Sequence, residues 1–225
     1  MNFYDVHTHG KASPTDIKNV IFSWDDPVSR GYYSVGAHPL FYEWTKDLYP
    51  HLEKMCRPKS ALAVGECGFD KRSPMSFSEQ SDLFLTHVRI AEELGKPLMI
   101  HCVGHFNELS VVRREGAPTQ PWIVHGYRKN PQLAEQICKS IVVNSQPAES
   151  LVQQGFYFSL GKEGVRREGL LTVIPLDRLF FETDEDTELT VEQVYREAAA
   201  TLGIDPELLA QRVEENFQAV FRPER

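Results

Sequence analysis

Eight short apolar runs recur along this chain, and longer segments with the periodicity of amphipathic helices separate most of them. The runs are Phe3–Val6, Val20–Phe22, Tyr33–Val35, Ala61–Val64, Pro97–Ile100, Trp122–Val124, Phe156–Ser159 and Leu179–Phe181. Several contain no polar residue, which is typical of strands covered on both faces. Strand–helix alternation repeated about eight times predicts an α/β fold, a somewhat distorted parallel (β/α)8 barrel.

Three helix starts are marked by capping residues. Ser76 with Glu79, and Thr190 with Gln193, have the spacing of capping boxes, in which each side chain accepts a hydrogen bond from the other residue's backbone N–H. The pair Asp205-Pro206 has the cap and first-turn pattern of a further helix. These signals predict helices that begin just after each capping residue.

Two segments depart from the alternation. The stretch between Phe22 and Tyr33 has little helical periodicity. In Pro131–Gln154, the residues Ile141-Val142-Val143 are strand-like at a place where a helical crossover is expected. The sequence leaves open whether this second segment forms a lid.

Length and charge restrict the class of protein. A chain of 225 residues is long enough for one barrel domain over residues 1–225. Its net charge of −8 argues against the broad basic surface of proteins that track long nucleic acids, but a locally positive site stays compatible with it. The four cysteines lie far apart with no CxxC spacing, which predicts reduced thiols in a cytoplasmic protein.

The sequence has no evident membrane or targeting signal. No apolar run approaches the ~20 residues of a membrane-spanning helix, so we expect no membrane segment. The chain leads directly into Asp5 and His7 without the pattern of a signal peptide. No motif indicates an obligate protein partner.

The first apolar run ends in a pair of histidines, His7 and His9, with Gly10 directly after them. In an extended backbone, residues i and i+2 point to the same side, so the two imidazoles can converge on one point. Two convergent imidazoles are half of a metal site. The alternative, a histidine pair on a surface loop, is less compatible with the apolar residues that precede it.

Ligand-type side chains also follow the later runs. In a barrel of this kind the site lies at the C-terminal ends of the strands. The residues at these ends are His7, His9, His38, Glu66, His101, His125 and Asp184. Each of these residues alone has an ordinary structural explanation. That explanation fails for the set, because six separate strand ends would each have to carry a ligand-type residue by chance. Glu66 in particular lies where an unpaired buried carboxylate would be costly.

The donor types indicate a metal centre with more than one ion. Four imidazoles and two carboxylates (His7, His9, His101, His125, Glu66 and Asp184) are too many for one structural zinc, which takes four ligands. They suit two divalent ions that each keep an open position. Mixed nitrogen and oxygen ligands favour Zn, Mn, Fe or Ni over Ca, with Mg less suited but still in the set.

The ordered motifs resemble the TatD family of metal-dependent hydrolases (TatD-like DNases), a branch of the amidohydrolase superfamily of TIM barrels. The motifs are Asp5-Val6-His7-Thr8-His9, Gly36-Ala37-His38-Pro39, Gly65-Glu66-Cys67-Gly68-Phe69-Asp70, Pro97-Leu98-Met99-Ile100-His101, His125-Gly126 and Glu182-Thr183-Asp184. The resemblance covers essentially the whole chain. Each motif alone is a weak signal, but the full set in this order is highly specific.

The resemblance implies a division of roles. His7, His9 and Asp184 would hold one metal ion, and His101 and His125 would hold the other. Glu66 would bridge the two ions. His38 resembles a residue beside the site that contacts a substrate phosphate.

We therefore expect a metal-dependent hydrolase, a phosphodiesterase or deoxyribonuclease that acts on DNA ends or short oligonucleotides. Asp184 is the predicted general base, and Glu66 the predicted bridging carboxylate. Arg72, His105, Arg128 and Lys129 are candidate phosphate contacts from the loops, with solvated surface charge as their alternative interpretation.

Two other functions stay in consideration. The first is a small-molecule amidohydrolase, a lactonase, amidase or deaminase on the same barrel. Glu66 counts against the single-metal deaminases, which do not need a bridging carboxylate on the fourth strand. The second is a binding protein on a catalytically idle barrel, which the complete ligand set disfavours.

Overall fold

Eight parallel strands form one sheet, and their order in the sheet follows the chain. The computed structural model describes residues 2–10, 13–22, 31–42, 48–139 and 155–222. The strands are β1 (Asp5–Thr8), β2 (Asp16–Ile21), β3 (Tyr32–Gly36), β4 (Ala61–Asp70), β5 (Leu98–Val103), β6 (Trp122–Val124), β7 (Phe156–Leu160) and β8 (Leu179–Phe181). All eight predicted strands are confirmed, and with them the parallel barrel.

The first and last strands meet where the chain carries Asp184. The Asp184 N–H donates to the His7 carbonyl at 3.0 Å, and the His9 N–H donates to the Asp184 carbonyl at 2.9 Å. Thr8 and Asp184 form a parallel bridge. The same short segment therefore closes the sheet into a barrel and brings the Asp184 side chain to the histidine pair.

Helices follow the strands and cover the outside of the barrel. They are α1 (Leu48–Cys56), α2 (Phe77–Leu94), α3 (Phe106–Gly116), α4 (Pro131–Lys139), α5 (Lys162–Val165), α6 (Leu170–Val173), α7 (Val191–Leu202) and α8 (Pro206–Phe221), with a 3₁₀ turn at Leu176–Arg178. Both predicted capping boxes are present, at the starts of α2 and α7, and the Asp205 side chain accepts hydrogen bonds at the start of α8.

The two irregular segments are only partly described. Residues 131–139 form α4, so this part of Pro131–Gln154 is helical. The strand-like Ile141-Val142-Val143 lies outside the described residues, as does most of the stretch between Phe22 and Tyr33.

Strands β4 and β5 extend further than the apolar runs predict. Strand β4 continues from the predicted end at Val64 to Asp70, and all ten of its residues are buried. Its pairing with β5 shifts register between Val64 and Cys67. Gly68 has a φ of +137°, and a Cβ there would lie 2.1 Å from the His101 carbonyl oxygen. Glycine at this position therefore lets β4 lie close against the segment of β5 that carries His101.

One histidine of the chain is structural. His87 on α2 is fully buried, accepts a hydrogen bond from the Ala37 N–H at 2.9 Å, and donates to the Leu83 carbonyl at 2.8 Å. Burial lowers its pKa to about 4, so the ring is neutral. His87 thereby ties α2 to the end of β3, next to His38.

Within the described ranges, no helix combines the length and the apolar composition that crossing a bilayer requires.

Candidate metal centre

Glu66 lies at the middle of the candidate ligands, and its Oε2 atom faces the histidine pair of β1. The Nε2 atom of His7 is 3.5 Å from this oxygen and that of His9 is 3.8 Å from it. Asp184 approaches from the end of β8, with Oδ1 3.6 Å from each of the same two nitrogens. Four donor atoms from three parts of the chain thus surround one small space.

These separations suit a metal ion better than hydrogen bonds. They exceed the 2.7–3.2 Å range of N–H···O bonds. Two ligands that each lie about 2.1 Å from a tetrahedral ion are separated by roughly 3.4 Å. The His7 Nε2 atom is also fully buried without a hydrogen-bond partner among the described residues. A buried polar atom in this condition is costly unless a ligand satisfies it, so this half of the centre fits a divalent ion.

The other carboxylate oxygen of Glu66 faces a second group of histidines. Its Oε1 atom lies 2.7 Å from His125 Nε2, 2.9 Å from His101 Nδ1 and 3.1 Å from His38 Nε2. These are hydrogen-bond distances. An ion between Glu66 and these rings would take the place of the shared protons, with the rings parted by a fraction of an ångström.

His38 differs from His101 in which ring nitrogen carries the proton. The Leu40 N–H donates to His38 Nδ1 at 3.1 Å, so in the neutral ring the proton is on Nε2. Nε2 is then a hydrogen-bond donor toward Glu66 and has no lone pair for a metal ion. His101 has the opposite arrangement, because its Nε2 contacts Asp70 Oδ2 at 2.8 Å and its Nδ1 is left to face Glu66.

The electrostatics of the cluster favour an ionised Glu66 beside neutral rings at His9 and His38 and a protonated ring at His125. Burial lowers the pKa of His125, but the carboxylates of Glu66 and Glu182 outweigh burial and raise it well above its usual value. Burial by itself raises the pKa of Glu66, but the charge on His125 and the hydrogen bonds from His101, His125 and His38 outweigh burial and lower it well below its usual value. Burial lowers the pKa of both His9 and His38. Neutral imidazoles and an ionised carboxylate are the forms in which these side chains bind metal ions.

Asp70 holds His101 from the side away from the centre. Its carboxylate is fully buried and accepts from His101 Nε2 at 2.8 Å and from Arg72 Nη2 at 2.6 Å. Burial raises the pKa of Asp70, but these hydrogen bonds more than offset it, so the carboxyl stays ionised. A carboxylate behind a ligating histidine fixes its tautomer and its orientation.

Replacing Asp70 with asparagine is expected to weaken metal binding on the His101 side by roughly 10- to 100-fold, because the imidazole loses its charged acceptor. Calorimetric titration of the metal-free protein with zinc or manganese measures this affinity. Asp82→Asn, an exposed change on α2, is the matched control. Unchanged affinity for both ions in Asp70→Asn would contradict the role given to Asp70.

Glu182 has a comparable place behind His125. Its carboxylate is fully buried, lies 3.6 Å from His125 Nδ1 through Oε1, and accepts from the Gly126 N–H at 2.6 Å. Gly126 adopts a φ of +57°, which turns its N–H toward this carboxylate. A proton on Nδ1 directed at Glu182 leaves the Nε2 atom of His125 for the centre.

Two further buried polar residues support the histidine pair, and no sequence pattern predicts a role at the centre for either of them. Asn19 on β2 donates to Glu66 Oε2 at 3.0 Å and its amide nitrogen lies 3.3 Å from His9 Nε2. Asp5 accepts from Thr183 Oγ1 at 2.6 Å, and burial raises its pKa to about 8. The only sequence signal for Asn19 is a polar residue within the apolar part of its strand.

The predicted phosphate contacts fall in different places. His38 lies against Glu66, as described above. Arg72 is bound to Asp70. His105 packs against the ring of Phe77, with centroids 5.1 Å apart, and Arg128 pairs with Glu163 at 2.8 Å. In the part of the chain that the structure describes, neither His105 nor Arg128 forms a hydrogen bond or ion pair with the six candidate ligands.

Comparisons with known proteins relate this chain to one protein family. A sequence model of the TatD-related DNase family matches residues 8–222. The 3'-5' ssDNA/RNA exonuclease TatD of Pantoea vagans is 24% identical over 213 residues, which cover 84% of this chain and 77% of that protein. The metal-dependent hydrolase YcfH of Escherichia coli K12 is 25% identical over 208 residues, covering 84% and 73%.

Solved structures show the same fold. The TatD homologue YjjV of Escherichia coli K12 superposes with a TM-score of 0.75 at 19% identity, covering 98% of each chain. A TatD-family hydrolase of Entamoeba histolytica superposes with a TM-score of 0.63 at 15% identity, covering 87% of this chain and 76% of that one. The family match extends over nearly the whole barrel and includes all the candidate ligands except His7, which lies one residue before the match begins. This chain belongs to the TatD-related DNase family.

Proposed function

We propose that this chain is a two-metal phosphodiesterase that hydrolyses nucleic acid at strand ends or as short oligonucleotides. The observation that carries the proposal is the position of Glu66, which turns one carboxylate oxygen to His7 and His9 and the other to His101 and His125. A carboxylate between two groups of donors suits a pair of ions. The exonuclease names of relatives such as the Pantoea vagans protein support nucleic acid as the substrate class.

The proposed ligands divide into two sets. His7, His9 and Asp184 would hold one divalent ion, and His101 and His125 would hold the other, with Glu66 shared between them. Zn, Mn, Mg, Ni and Fe all suit the donors. When bound, the ions would supply an acidified water and positive charge opposite the phosphate.

Asp184 is the proposed general base. Its side chain is 41% exposed while the other partners of His7 are buried, so it lies where solvent and substrate reach the centre. One of its oxygens is directed at the histidine pair, and the carboxylate can accept a proton from the attacking water. Glu66 is buried and keeps its charge, so its role is to hold the ligand sets together.

His38 is proposed to orient the phosphate. Its Nε2–H donates to Glu66 at 3.1 Å, and its ring stacks against Phe41 with centroids 4.9 Å apart. The stacking fixes the ring plane at the edge of the centre. A donor held in this position can turn from Glu66 to a non-bridging phosphate oxygen, which would stabilise charge that develops there.

A substrate panel tests the proposal. The protein, freed of metal with a chelator and reloaded with zinc or manganese, is expected to hydrolyse a chromogenic phosphodiester and single-stranded DNA, and chelation is expected to abolish both activities. The panel includes representative lactones and amides. Turnover of these with no turnover of either phosphodiester would replace the proposed function with the small-molecule amidohydrolase, which the relatives' names do not favour.

A further inference from the structure

A groove with an excess of basic side chains lies beside the candidate centre. It has a volume of about 630 Å³. Its charged lining residues are Lys71, Arg128, Lys129, Arg167 and Glu108. We propose that this groove, here called the basic groove, binds the backbone phosphates of a single-stranded nucleic acid whose end occupies the metal centre. The inference rests on the proposed function and adds the path that the substrate takes.

Most of these cations have no ion-pair partner among the residues that the structure describes. Lys71, Lys129 and Arg167 are exposed, and none of the three forms an ion pair with another described residue. Arg128 pairs with Glu163 on the surface. Among the described lining residues, Glu108 is the one carboxylate, and it lies 3.7 Å from His105 Nδ1. The groove therefore has a net positive charge that an anionic ligand can satisfy.

Lys71, one of the lysines that line the basic groove, is held in position by packing. A Cβ added at Gly104 would lie 2.7 Å from Lys71 Cδ, so the aliphatic part of Lys71 crosses directly over the glycine. The Lys71 N–H also donates to the Val103 carbonyl at 2.9 Å. With the stem fixed along the wall, the ammonium group loses less freedom when it binds a phosphate.

Chain connectivity joins the basic groove to the candidate centre. Lys71 directly follows Asp70, the partner of His101. Arg128 and Lys129 come three and four residues after His125. Because these segments leave the C-terminal ends of β4 and β6, on either side of β5, the groove begins where the ligands end. Lys71 and Arg128 are the first basic residues along the chain after Glu66 and His125, so a nucleic-acid strand with its terminal phosphodiester at Glu66 would meet them as it leaves the centre.

The opposite side of the centre has the reverse charge. A second groove, of about 960 Å³, extends from His9 and is lined by the acidic residues Asp16, Asp186, Glu188 and Glu192, with Lys18 as the one lysine or arginine among its described lining residues. Backbone phosphates would be repelled there. The charge difference gives the bound strand one direction, toward the basic groove, and disfavours a strand that continues past the centre on both sides. This is the arrangement expected for a substrate bound by its end.

The overall acidity of the chain does not cancel this local attraction. The net charge is −8, but charges beyond the Debye length of about 8 Å are largely screened at physiological salt. Side chains that line a groove act within that distance. The same screening predicts that binding weakens as salt rises, by about 0.7 logarithmic units of affinity per tenfold change in salt for each neutralised phosphate of a single strand.

The test compares two variants with the same loss of charge. Lys71→Gln, Lys129→Gln and Arg167→Gln are combined in one, and Lys54→Gln, Lys59→Gln and Arg212→Gln, on exposed positions of the outer layer, in the other. Binding of a fluorescein-labelled, phosphorothioate-linked single strand of about eight nucleotides is followed by anisotropy. We expect the groove variant to lose roughly tenfold or more in affinity and its salt slope to flatten by about two, while the control binds like the wild type.

The outcomes distinguish this inference from the proposed function. Equal affinity and equal salt slope in the groove variant and the wild type would contradict phosphate binding in the basic groove, whatever the enzyme hydrolyses. An equal loss in the control variant would also overturn it, because it would show a diffuse effect of charge. Hydrolysis of the chromogenic phosphodiester by the wild type is measured separately, and its failure would count against the proposed function without touching the binding result. A groove variant that also loses affinity for inorganic polyphosphate to the same degree would replace nucleic acid with polyanions in general.

Discussion

Replacing Glu66 with glutamine is expected to remove both metal ions and to lower hydrolysis of a chromogenic phosphodiester by at least roughly 10³-fold. One carboxylate faces both groups of histidines, with Oε2 3.5 Å from His7 Nε2 and Oε1 2.7 Å from His125 Nε2. Glutamine has nearly the same size, but its NH₂ group cannot be a ligand. One half of the centre would meet a donor in place of an acceptor, and the shared negative charge would be lost.

The comparison with His125→Ala makes this expectation specific to a bridging position. His125 Nε2 contacts the Oε1 atom of Glu66, and the His125 ring also stacks on His7 with centroids 4.1 Å apart. Its removal should therefore weaken mainly the ion on the Oε1 side and leave the other bound. Metal content after gel filtration, measured by mass spectrometry, gives the stoichiometry of each variant. Glu215→Gln, an exposed change on α8, controls for the loss of charge. Equal loss of metal in Glu66→Gln and His125→Ala would contradict the division into two sites.

Asp184→Asn is expected to lower turnover by roughly 10²- to 10⁴-fold, the range for removing a general base, while the fold is retained. Asp184 has a φ of +54°, a conformation that asparagine tolerates better than other non-glycine residues, and the barrel is closed by its backbone rather than its side chain. The variant therefore separates the chemistry of the carboxylate from the closure of the sheet. Binding of the ion beside His7 and His9 should weaken, and binding beside His101 should not.

Glu185→Gln is the matched control for this second substitution, because it removes the same charge from the next residue of the same loop and is exposed. Steady-state turnover with saturating metal, together with thermal unfolding, distinguishes a catalytic defect from a structural one. Wild-type turnover in Asp184→Asn would exclude the residue as the base. A defect of equal size in Glu185→Gln would show that the loop's overall charge, and not Asp184, is responsible.

The strands and the long helices follow from local signals that act within a few residues. Runs such as Trp122–Val124 are too apolar for a half-exposed strand, and capping boxes such as Ser76 with Glu79 satisfy orphan N–H groups at a helix start. These effects depend little on the rest of the chain. The predicted start of β4 at Ala61 is confirmed, but its predicted end was wrong for the same reason, because polar residues ended the apolar run at Val64 while the strand continues to Asp70. Only partners in the folded barrel compensate for the burial of those polar groups.

The candidate ligands were also predictable one by one, since each stands at or near the end of a predicted strand and parallel strands bring their C-terminal ends to one face. The sequence does not contain the distances between them. That His101 presents Nδ1 and not Nε2 to Glu66 depends on Asp70, and that His38 is a donor depends on the Leu40 N–H. Neither contact has a pattern in the sequence that distinguishes it from an ordinary polar residue.

Local sequence patterns are enough to predict the order of strands and helices, the residue types at the strand ends and the family. How these donors meet depends on the folded barrel: Glu66 lies between the two groups of histidines, Asp184 lies at the seam between β1 and β8, and a basic groove on one side of the centre is opposite an acidic one on the other. The two kinds of information differ in the separation along the chain over which the interactions act. Backbone propensity, capping and apolar periodicity act between neighbours along the chain, whereas coordination distances and local charge depend on side chains separated by up to 177 residues, such as His7 and Asp184, that barrel closure brings together.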